Sequence, residues 1–307
     1  MSLAGTTGTV GLVLSLVAAS AATAQPTAEE IRESYRAHAA LAQFHRWFQV
    51  YERPEGGLDN ALDLLADDVT ITSPLGTAEG VAAYEAAVAA LPSTWRNAHF
   101  VRSVRAEMGE DVTLTAEVTY LNLGATEDGT LRALTMAYDA TFADGGEALP
   151  KVDTMAIAPV GPSEETAYRD AYLENRARAT VHAYLAFLEN PERTLAPFEE
   201  ILTDAFSINF SSGAITTLDG FAAWLAGPAS SVSASQHRIS EFSVQGTDTA
   251  FSVEMAFDWS GLAPDGTQLE ARTRHRWRLV NDVAERFARI KTVDVEVLVP
   301  FRPVVVE

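Results

Sequence analysis

The chain of 307 residues contains no cysteine, which excludes disulfides, thiolate nucleophiles and cysteine-ligated metals. Positive charge is also scarce, since 22 Lys and Arg face 42 Asp and Glu, for a formal net charge of −20. A surface this acidic repels phosphate backbones. We therefore expect no nucleic-acid partner.

Several signatures of known sites are missing. The sequence has no GxGxxG or GxxxxGK[ST] nucleotide loop and no GxSxG nucleophile elbow. Its six histidines form no HxH or HxxxH pair of the kind that binds metals. The sequence therefore predicts neither a cofactor nor a metal site.

The N-terminus lacks Lys and Arg before Arg32, yet otherwise has the features of a leader. The apolar run Thr9–Ser20 is too short to span a bilayer comfortably, and Ala22-Thr23-Ala24 matches a small-x-small cleavage site. We interpret 1–24 as a signal peptide and expect an exported protein, periplasmic or secreted. The alternative is a disordered or membrane-tethering tail.

The chain repeats itself. The segments FHRWFQVYERPE and VHAYLAFLENPE begin at positions 44 and 181, so that His45 meets His182 at a spacing of 137 residues. Further pairs follow in the same order: Glu52 with Glu189, Leu65 with Leu202, His99 with His237, Glu117 with Glu254, and Asp128-Gly129-Thr130 with Asp265-Gly266-Thr267. Each unit is much longer than a solenoid repeat, so two homologous globular domains are predicted.

In each unit, the sequence pattern predicts helices first and strands afterwards. TAEE at Thr27 is a capping box that starts the first helix, and a third helix is expected over 78–91. Apolar and polar residues alternate over 112–120, as in a half-buried strand, and Asp-Gly-Thr is hairpin-turn chemistry. The prediction is an α+β fold with domains over 27–158 and 164–300, joined by a linker at 158–164.

Two segments carry a resemblance to a known superfamily. LLADDVTITSPLG, which starts at Leu64 and is followed by EGVAAYEAA, and ILTDAFSINFSSG, which starts at Ile201, resemble the nuclear transport factor 2-like superfamily. Its SnoaL-like and ketosteroid-isomerase-like branches are the most similar. The resemblance implies two tandem cone-shaped domains, each with N-terminal helices packed on a curved antiparallel sheet around an apolar pocket. Members often dimerise sheet against sheet, and a fused pair could form an intramolecular pseudo-dimer.

The resemblance to ketosteroid isomerases does not extend to their chemistry. The position of the carboxylate base holds Ser73 in the first unit and Phe210 in the second. A serine alone cannot remove a proton from carbon near neutral pH. Trp47 and Tyr184 lie nearest to the position of the oxyanion-binding tyrosine. The departures argue against isomerase activity in either unit.

His99 and His237 are the candidate catalytic residues. Scytalone dehydratases carry a working histidine in a QH pair just before a strand, which SQHRIS around His237 matches well and NAHFVR around His99 loosely. Histidine suits proton transfer near neutrality. The second histidine that the resemblance implies on the next strand is missing. The alternative is that both residues are structural.

Other repeated or clustered residues have simpler interpretations. We interpret His45 and His182 as half-buried structural residues bonded to backbone carbonyls, in preference to a pocket role. Four cations share one strand face: Arg272, Arg274, Arg276 and Arg278. Pairing with Glu254 and Asp258 across the sheet is favoured for this row, and an interface is the alternative.

The sequence favours a protein that binds a small, largely apolar molecule in one or both pockets without catalysis. One alternative is a cofactor-independent lyase or isomerase, of dehydratase, isomerase or cyclase type, that uses a pocket histidine as acid and base. Another is a structural or protein-interaction module with filled pockets. The predicted pocket residues are Phe44, Trp47, Phe48, Tyr84, His99 and Tyr120 in the first unit, and Tyr184, Trp224, His237, Phe257 and Trp277 in the second.

Overall fold

The structure, a computed structural model, describes residues 25–126, 128–143 and 148–305. The predicted signal peptide, 1–24, lies outside the described residues. Within the described ranges, no helix combines the length and the apolarity needed to cross a membrane.

Helices precede strands in both units. The first unit contains α1 (Ala28–Trp47), α2 (Gln49–Glu52), a 3-10 turn (Pro54–Gly56), α3 (Asp59–Leu62), β1 (Leu65–Ser73), β2 (Gly76–Glu79), α4 (Val81–Ala89), β3 (Arg96–Met108), β4 (Val112–Leu123), β5 (Arg132–Ala143) and β6 (Lys151–Pro162). The second contains α5 (Tyr172–Glu189), α6 (Ala196–Ile201), β7 (Leu202–Phe210), β8 (Gly213–Ile215), α7 (Leu218–Ala226), a 3-10 turn (Pro228–Ser231), β9 (Ala234–Thr247), β10 (Ala250–Leu262), β11 (Gln268–Val280) and β12 (Arg289–Pro303).

The two units have the same sheet topology. The six strands run in the order β2-β1-β6-β5-β4-β3 in the first sheet and β8-β7-β12-β11-β10-β9 in the second. This confirms the α+β fold with two tandem units. The sheets are not wholly antiparallel, because β1 pairs in parallel with β6 and β7 with β12.

Local chemistry explains the ends of several elements. The capping box is present, since the Thr27 hydroxyl accepts from the Glu30 N–H at 3.2 Å and the Glu30 carboxylate accepts from the Thr27 N–H at 2.7 Å. Gly129 and Gly266 adopt φ angles of 73° and 87° in the two Asp-Gly-Thr turns. These positive angles favour glycine.

Two expected boundaries differ from the structure. The third helix begins at Val81 rather than Ala78, because Gly76–Glu79 forms β2 against β1. The linker expected at 158–164 is mostly strand, since β6 continues to Pro162 and pairs with β5. The non-regular connection between the units is therefore 163–171.

The two units meet mainly through helices. α1 and α5 pack along each other, and each also contacts the strand that begins the long meander of the opposite unit, β9 for α1 and β3 for α5. His38 meets His182 while His45 meets Asn175, so the two helices run antiparallel. The sheet-against-sheet pairing implied by the resemblance is not how these units associate.

Two of the four arginines in the β11 row pair across the sheet with the predicted carboxylates. Arg276 lies 3.3 Å from Glu254, and Arg272 lies 3.5 Å from Asp258. The strand register places both pairs directly opposite each other. All four side chains are at least a third exposed, so each pair contributes little to stability.

Candidate functional site

The first cone contains a cavity of about 180 Å³ between the helices and the concave face of its sheet. Its walls come from α1 and α2 on one side and from β3 to β6 on the other. Among the residues that line it are Trp47, Tyr51, Asn97, His99, Tyr120, Leu134, Met136, Tyr138 and Ile157. The cavity is thus mostly apolar, with a small set of polar groups on one wall, as ligand sites commonly are.

A buried carboxylate orients the histidine of this cavity. Glu52 ends α2, and its Oε1 lies 2.8 Å from the backbone nitrogen of His99 and 3.2 Å from His99 Nδ1. The Glu52 side chain is fully buried and that of His99 is 7% exposed. Because a carboxylate accepts, the neutral form of the ring carries its hydrogen on Nδ1 and its lone pair on Nε2.

The ring of His99 is held between aromatic side chains. It stacks on Phe48 at a centroid distance of 4.7 Å and lies 5.2 Å from the ring of Tyr120. Within the described part of the chain, no hydrogen bond reaches Nε2. A ligand in the cavity would therefore meet an oriented nitrogen base.

Tyrosine side chains line the cavity and the core beside it. Burial raises the pKa values of Tyr51, Tyr84 and Tyr138, so these residues stay protonated at neutral pH. Tyr51 and Tyr84 bond to each other at 2.9 Å. The hydroxyl of Tyr138 has no hydrogen-bond partner among the described residues, which leaves it as a donor for a ligand. Burial also raises the pKa of Glu52, against the hydrogen bonds from His99 and Asn175.

The mouth of the cavity combines an apolar rim with one cation. Leu75, in the turn between β1 and β2, is 72% exposed, and the half-buried Trp95 lines the same cavity. Arg132, at the start of β5, is exposed and lines the same opening. An apolar molecule with a polar or anionic end matches this arrangement.

The second cone repeats the histidine and the carboxylate. Glu189 Oε1 lies 2.6 Å from the backbone nitrogen of His237 and 2.8 Å from His237 Nδ1. The repeated Glu and His thus form the same pair in both units.

Larger side chains fill the second cone. Trp277 occupies the place that Ala140 has in the first unit, and Phe198 the place of Ala61. Both rings are fully buried, and Tyr184 packs edge-on against both of them at centroid distances of 5.0 and 5.5 Å. Each unit has its own histidine–glutamate pair, but the side chains packed near the pair are larger in the second unit.

The structure places the predicted pocket residues in three groups. Trp47, His99 and Tyr120 line the first cavity. Phe44, Phe48 and Tyr84 are buried in the core around it. The remaining five belong to the packed second cone: Tyr184, Phe257 and Trp277 are buried, and Trp224 and His237 are half-buried.

His45 and His182 lie at the contact between the units, away from the cavity. His45 Nδ1 lies 3.0 Å from Asn175 Oδ1, and His182 Nδ1 lies 2.8 Å from His38 Nδ1. Their partners are side chains, so the expected bonds to backbone carbonyls are wrong. Burial lowers the pKa of His45 to about 3 and that of His182 well below its ordinary value.

Two larger hollows lie elsewhere and lack comparable chemistry. A cleft of about 400 Å³ between the units includes Arg36 and Glu192, and a shallow depression of about 340 Å³ on the outer face of the first sheet is lined largely by threonines. Neither contains a histidine. We place the candidate site in the smaller cavity because it holds the oriented base.

Within the described ranges, no three His, Asp or Glu side chains converge on one point. The polar groups of the candidate site are His99, Glu52, Tyr138 and Arg132. The role of Glu52 was not predicted. Its repetition as Glu189, alongside the repeated histidines, was the signal in the sequence that could have identified it.

Comparison with known proteins agrees with this fold. Residues 44–147 match the model of the SnoaL-like domain, which confirms the resemblance seen in the sequence. No curated protein matches the chain.

The solved structures that are similar to one unit include a dehydrochlorinase, a protein with a cystatin-like fold and a nuclear transport factor 2-like protein. Hexachlorocyclohexane dehydrochlorinase LinA-type3 from Novosphingobium barchaimii LL02 is 7% identical, with 43% of this chain and 89% of that chain covered and a TM-score of 0.37. A protein with a cystatin-like fold from Caulobacter vibrioides is 14% identical (42% and 91% covered, TM-score 0.34). A nuclear transport factor 2-like superfamily protein from Salmonella enterica is 11% identical (38% and 85% covered, TM-score 0.34).

Proposed function

We propose that this chain, which carries a SnoaL-like domain over residues 44–147, is a cofactor-independent acid–base catalyst of the lyase or isomerase class. Its substrate is a small, largely apolar molecule held in the first cone. The observation that carries the proposal is the buried Glu52 bonded to Nδ1 of His99, which leaves Nε2 as a base in an accessible cavity.

The geometry suits proton transfer to and from a bound molecule. Nε2 of His99 accepts a proton from a C–H or O–H group, and the Glu52 carboxylate stabilises the resulting imidazolium. The electron pair left on a carbon acid can form a double bond by expelling a leaving group, or the proton can return to another carbon. The Tyr138 hydroxyl can donate to the oxygen on which negative charge develops.

Binding without catalysis is the second candidate. It is favoured by the apolar rim at Leu75 and Trp95 and by Ser73 at the position where the related isomerases carry their carboxylate base. In this case His99 only accepts a hydrogen bond from the ligand. The two candidates differ in whether the proton moves.

A small phenol distinguishes them. We expect the protein to bind 4-nitrophenol and to raise its phenolate absorbance at pH 6, because His99 takes the phenolic proton. His99→Gln keeps a polar side chain of similar size but removes the base, and should reduce the bound phenolate at least tenfold. The measurement is a spectrophotometric titration of 4-nitrophenol with each protein.

His237→Gln is the matched control, since it makes the same change in the filled cone. We expect it to leave the titration within twofold of the unsubstituted protein. Saturable binding with no phenolate band supports binding alone. Equal titrations for His99→Gln and the unsubstituted protein contradict a site in the first cone.

Export is a separate proposal that rests on the composition of 1–24. Fusion of this segment to an alkaline phosphatase that lacks its own leader should give periplasmic phosphatase activity in a bacterial host. Activity no higher than that of the leaderless enzyme contradicts export.

A further inference from the structure

Asn175, on the first helix of the second unit, reaches into the site of the first unit. Its Nδ2 lies 3.1 Å and 3.3 Å from the two carboxylate oxygens of Glu52 and 2.8 Å from the carbonyl oxygen of His99. Its Oδ1 lies 3.0 Å from Nδ1 of His45, which therefore donates to it. Asn175 is 4% exposed, so water does not compete for these bonds.

The first unit makes the corresponding contacts to the histidine–glutamate pair of the second unit, with a different side chain. His38, on α1, occupies the position that Asn175 has on α5. Its Nε2 lies 3.6 Å from Glu189 Oε1 and 3.1 Å from the carbonyl oxygen of His237, and its Nδ1 lies 2.8 Å from His182. Each histidine–glutamate pair is therefore touched by a side chain from the opposite unit. The amide of Asn175 contacts the pair in the first cone, and the imidazole of His38 contacts the pair in the second cone.

We propose that Asn175 is a positioning residue for the site of the first unit, so that the second unit completes the site instead of holding one of its own. The inference rests on the proposed function, because it takes His99 as the working group.

The physical reason lies in the hydrogen bonds of a buried carboxylate. Glu52 accepts from the backbone and ring of His99 and from Asn175, and these donors together hold it in one orientation. An amide keeps its N–H donors at every pH, whereas an imidazole gains and loses a hydrogen. Loss of the Asn175 donor leaves a buried oxygen unsatisfied. Glu52 would then turn away, and Nδ1 of His99 would no longer be fixed as the protonated nitrogen.

Three variants test this inference. Asn175→Leu removes the amide at similar volume. Asn175→His installs the residue of the corresponding position in the first unit, where His38 Nε2 lies 3.6 Å from Glu189 Oε1. His38→Leu is the matched control, because it removes the corresponding contact in the second unit. Circular dichroism and thermal melting report folding for each variant.

Two readouts separate positioning from a merely structural role. The first is the ¹⁵N chemical shifts of the His99 ring, which identify the nitrogen that carries the hydrogen. The second is the pH profile of bound 4-nitrophenolate. We expect Asn175→Leu to give a mixture of His99 tautomers and at least a tenfold loss of bound phenolate. His38→Leu should leave both readouts within twofold of the unsubstituted protein.

We expect Asn175→His to keep a single His99 tautomer and to keep bound phenolate at pH 6 within threefold, because an imidazole N–H still faces Glu52. This variant decides the matter if Asn175→Leu does not fold. Folded Asn175→Leu protein with an unchanged His99 tautomer overturns the inference, as does folded Asn175→His protein that loses the single tautomer and more than tenfold of the bound phenolate. The proposed function fails separately, if His99→Gln itself leaves bound phenolate unchanged.

Discussion

The protein should lose stability steeply as the pH falls below about 6.5, because three buried histidines and the half-buried His275 are held in neutral form. Burial lowers the pKa of His45 and His275 to about 3. It also lowers the pKa of His38, against the nearby Glu189 carboxylate, and that of His182, where His38, His45 and Arg178 add to the effect. In the unfolded chain each imidazole has an ordinary pKa of about 6.5.

The sign follows from where protons bind. Above pH 6.5 both the folded and the unfolded states hold these rings neutral, so the free energy of unfolding does not depend on them. Below pH 6.5 the unfolded state takes up protons that the folded state refuses, and stability falls by about 1.4 kcal/mol per pH unit for each ring. Between pH 6.5 and 4.5, His45 and His275 together cost about 5 kcal/mol, and His38 and His182 act in the same direction. A domain has about 5–15 kcal/mol in total.

Urea unfolding at a series of pH values measures this effect. His275→Leu removes one half-buried imidazole from the second cone, so the decline between pH 6.5 and 4.5 should shrink by about 2 kcal/mol relative to the unsubstituted protein. Carboxylates titrate in both proteins and cancel in this difference. A difference between the two proteins that does not change with pH would show that His275 does not remain neutral in the fold.

Replacing Trp277 by alanine should lower the free energy of unfolding by about 3–5 kcal/mol. The indole is fully buried in the second cone, and its centroid lies 5.0 Å from that of Tyr184. Its removal leaves a void that the surrounding rings can only partly refill. Urea unfolding at pH 7.5 gives the change. We expect 4-nitrophenol binding to persist, because the first cone is untouched.

Trp95→Ala is the opposite case and serves as the control. Trp95 is half-buried at the mouth of the first cavity, so its loss should weaken 4-nitrophenol binding while costing much less stability than Trp277→Ala. The proposal that only the first cone binds the ligand is wrong if Trp277→Ala abolishes binding in folded protein, or if Trp95→Ala leaves binding unchanged.

The overall architecture could be predicted because the sequence contains two similar copies of one unit. The repeat beginning at positions 44 and 181 identified the units, and alternation over 112–120 identified a strand that the structure confirms as part of β4. Glu117 lies on the exposed face of this strand, as the alternation requires. Alternation of apolar and polar residues is a local pattern, and a repeat is found by comparing the sequence with itself. Both can therefore be recognised without knowledge of the fold.

The chemistry of the site needed long-range geometry. Glu52 meets His99 only because α2 ends beside the start of β3, and no local pattern records that contact. The same holds for Asn175, whose partners are set by how α1 and α5 pack. The filling of the second cone follows from Trp277 and Phe198 standing where the first unit has Ala140 and Ala61, but the face each residue occupies depends on the strand register and on helix placement.

The most direct test is a crystal structure of the protein with 4-nitrophenol bound. The account predicts one ligand in the first cone, with its oxygen within hydrogen-bond distance of His99 Nε2 and Glu52 still bonded to Nδ1, and an unoccupied, ring-filled second cone. Ligand density in the second cone or in the cleft near Arg36, with none beside His99, would contradict it.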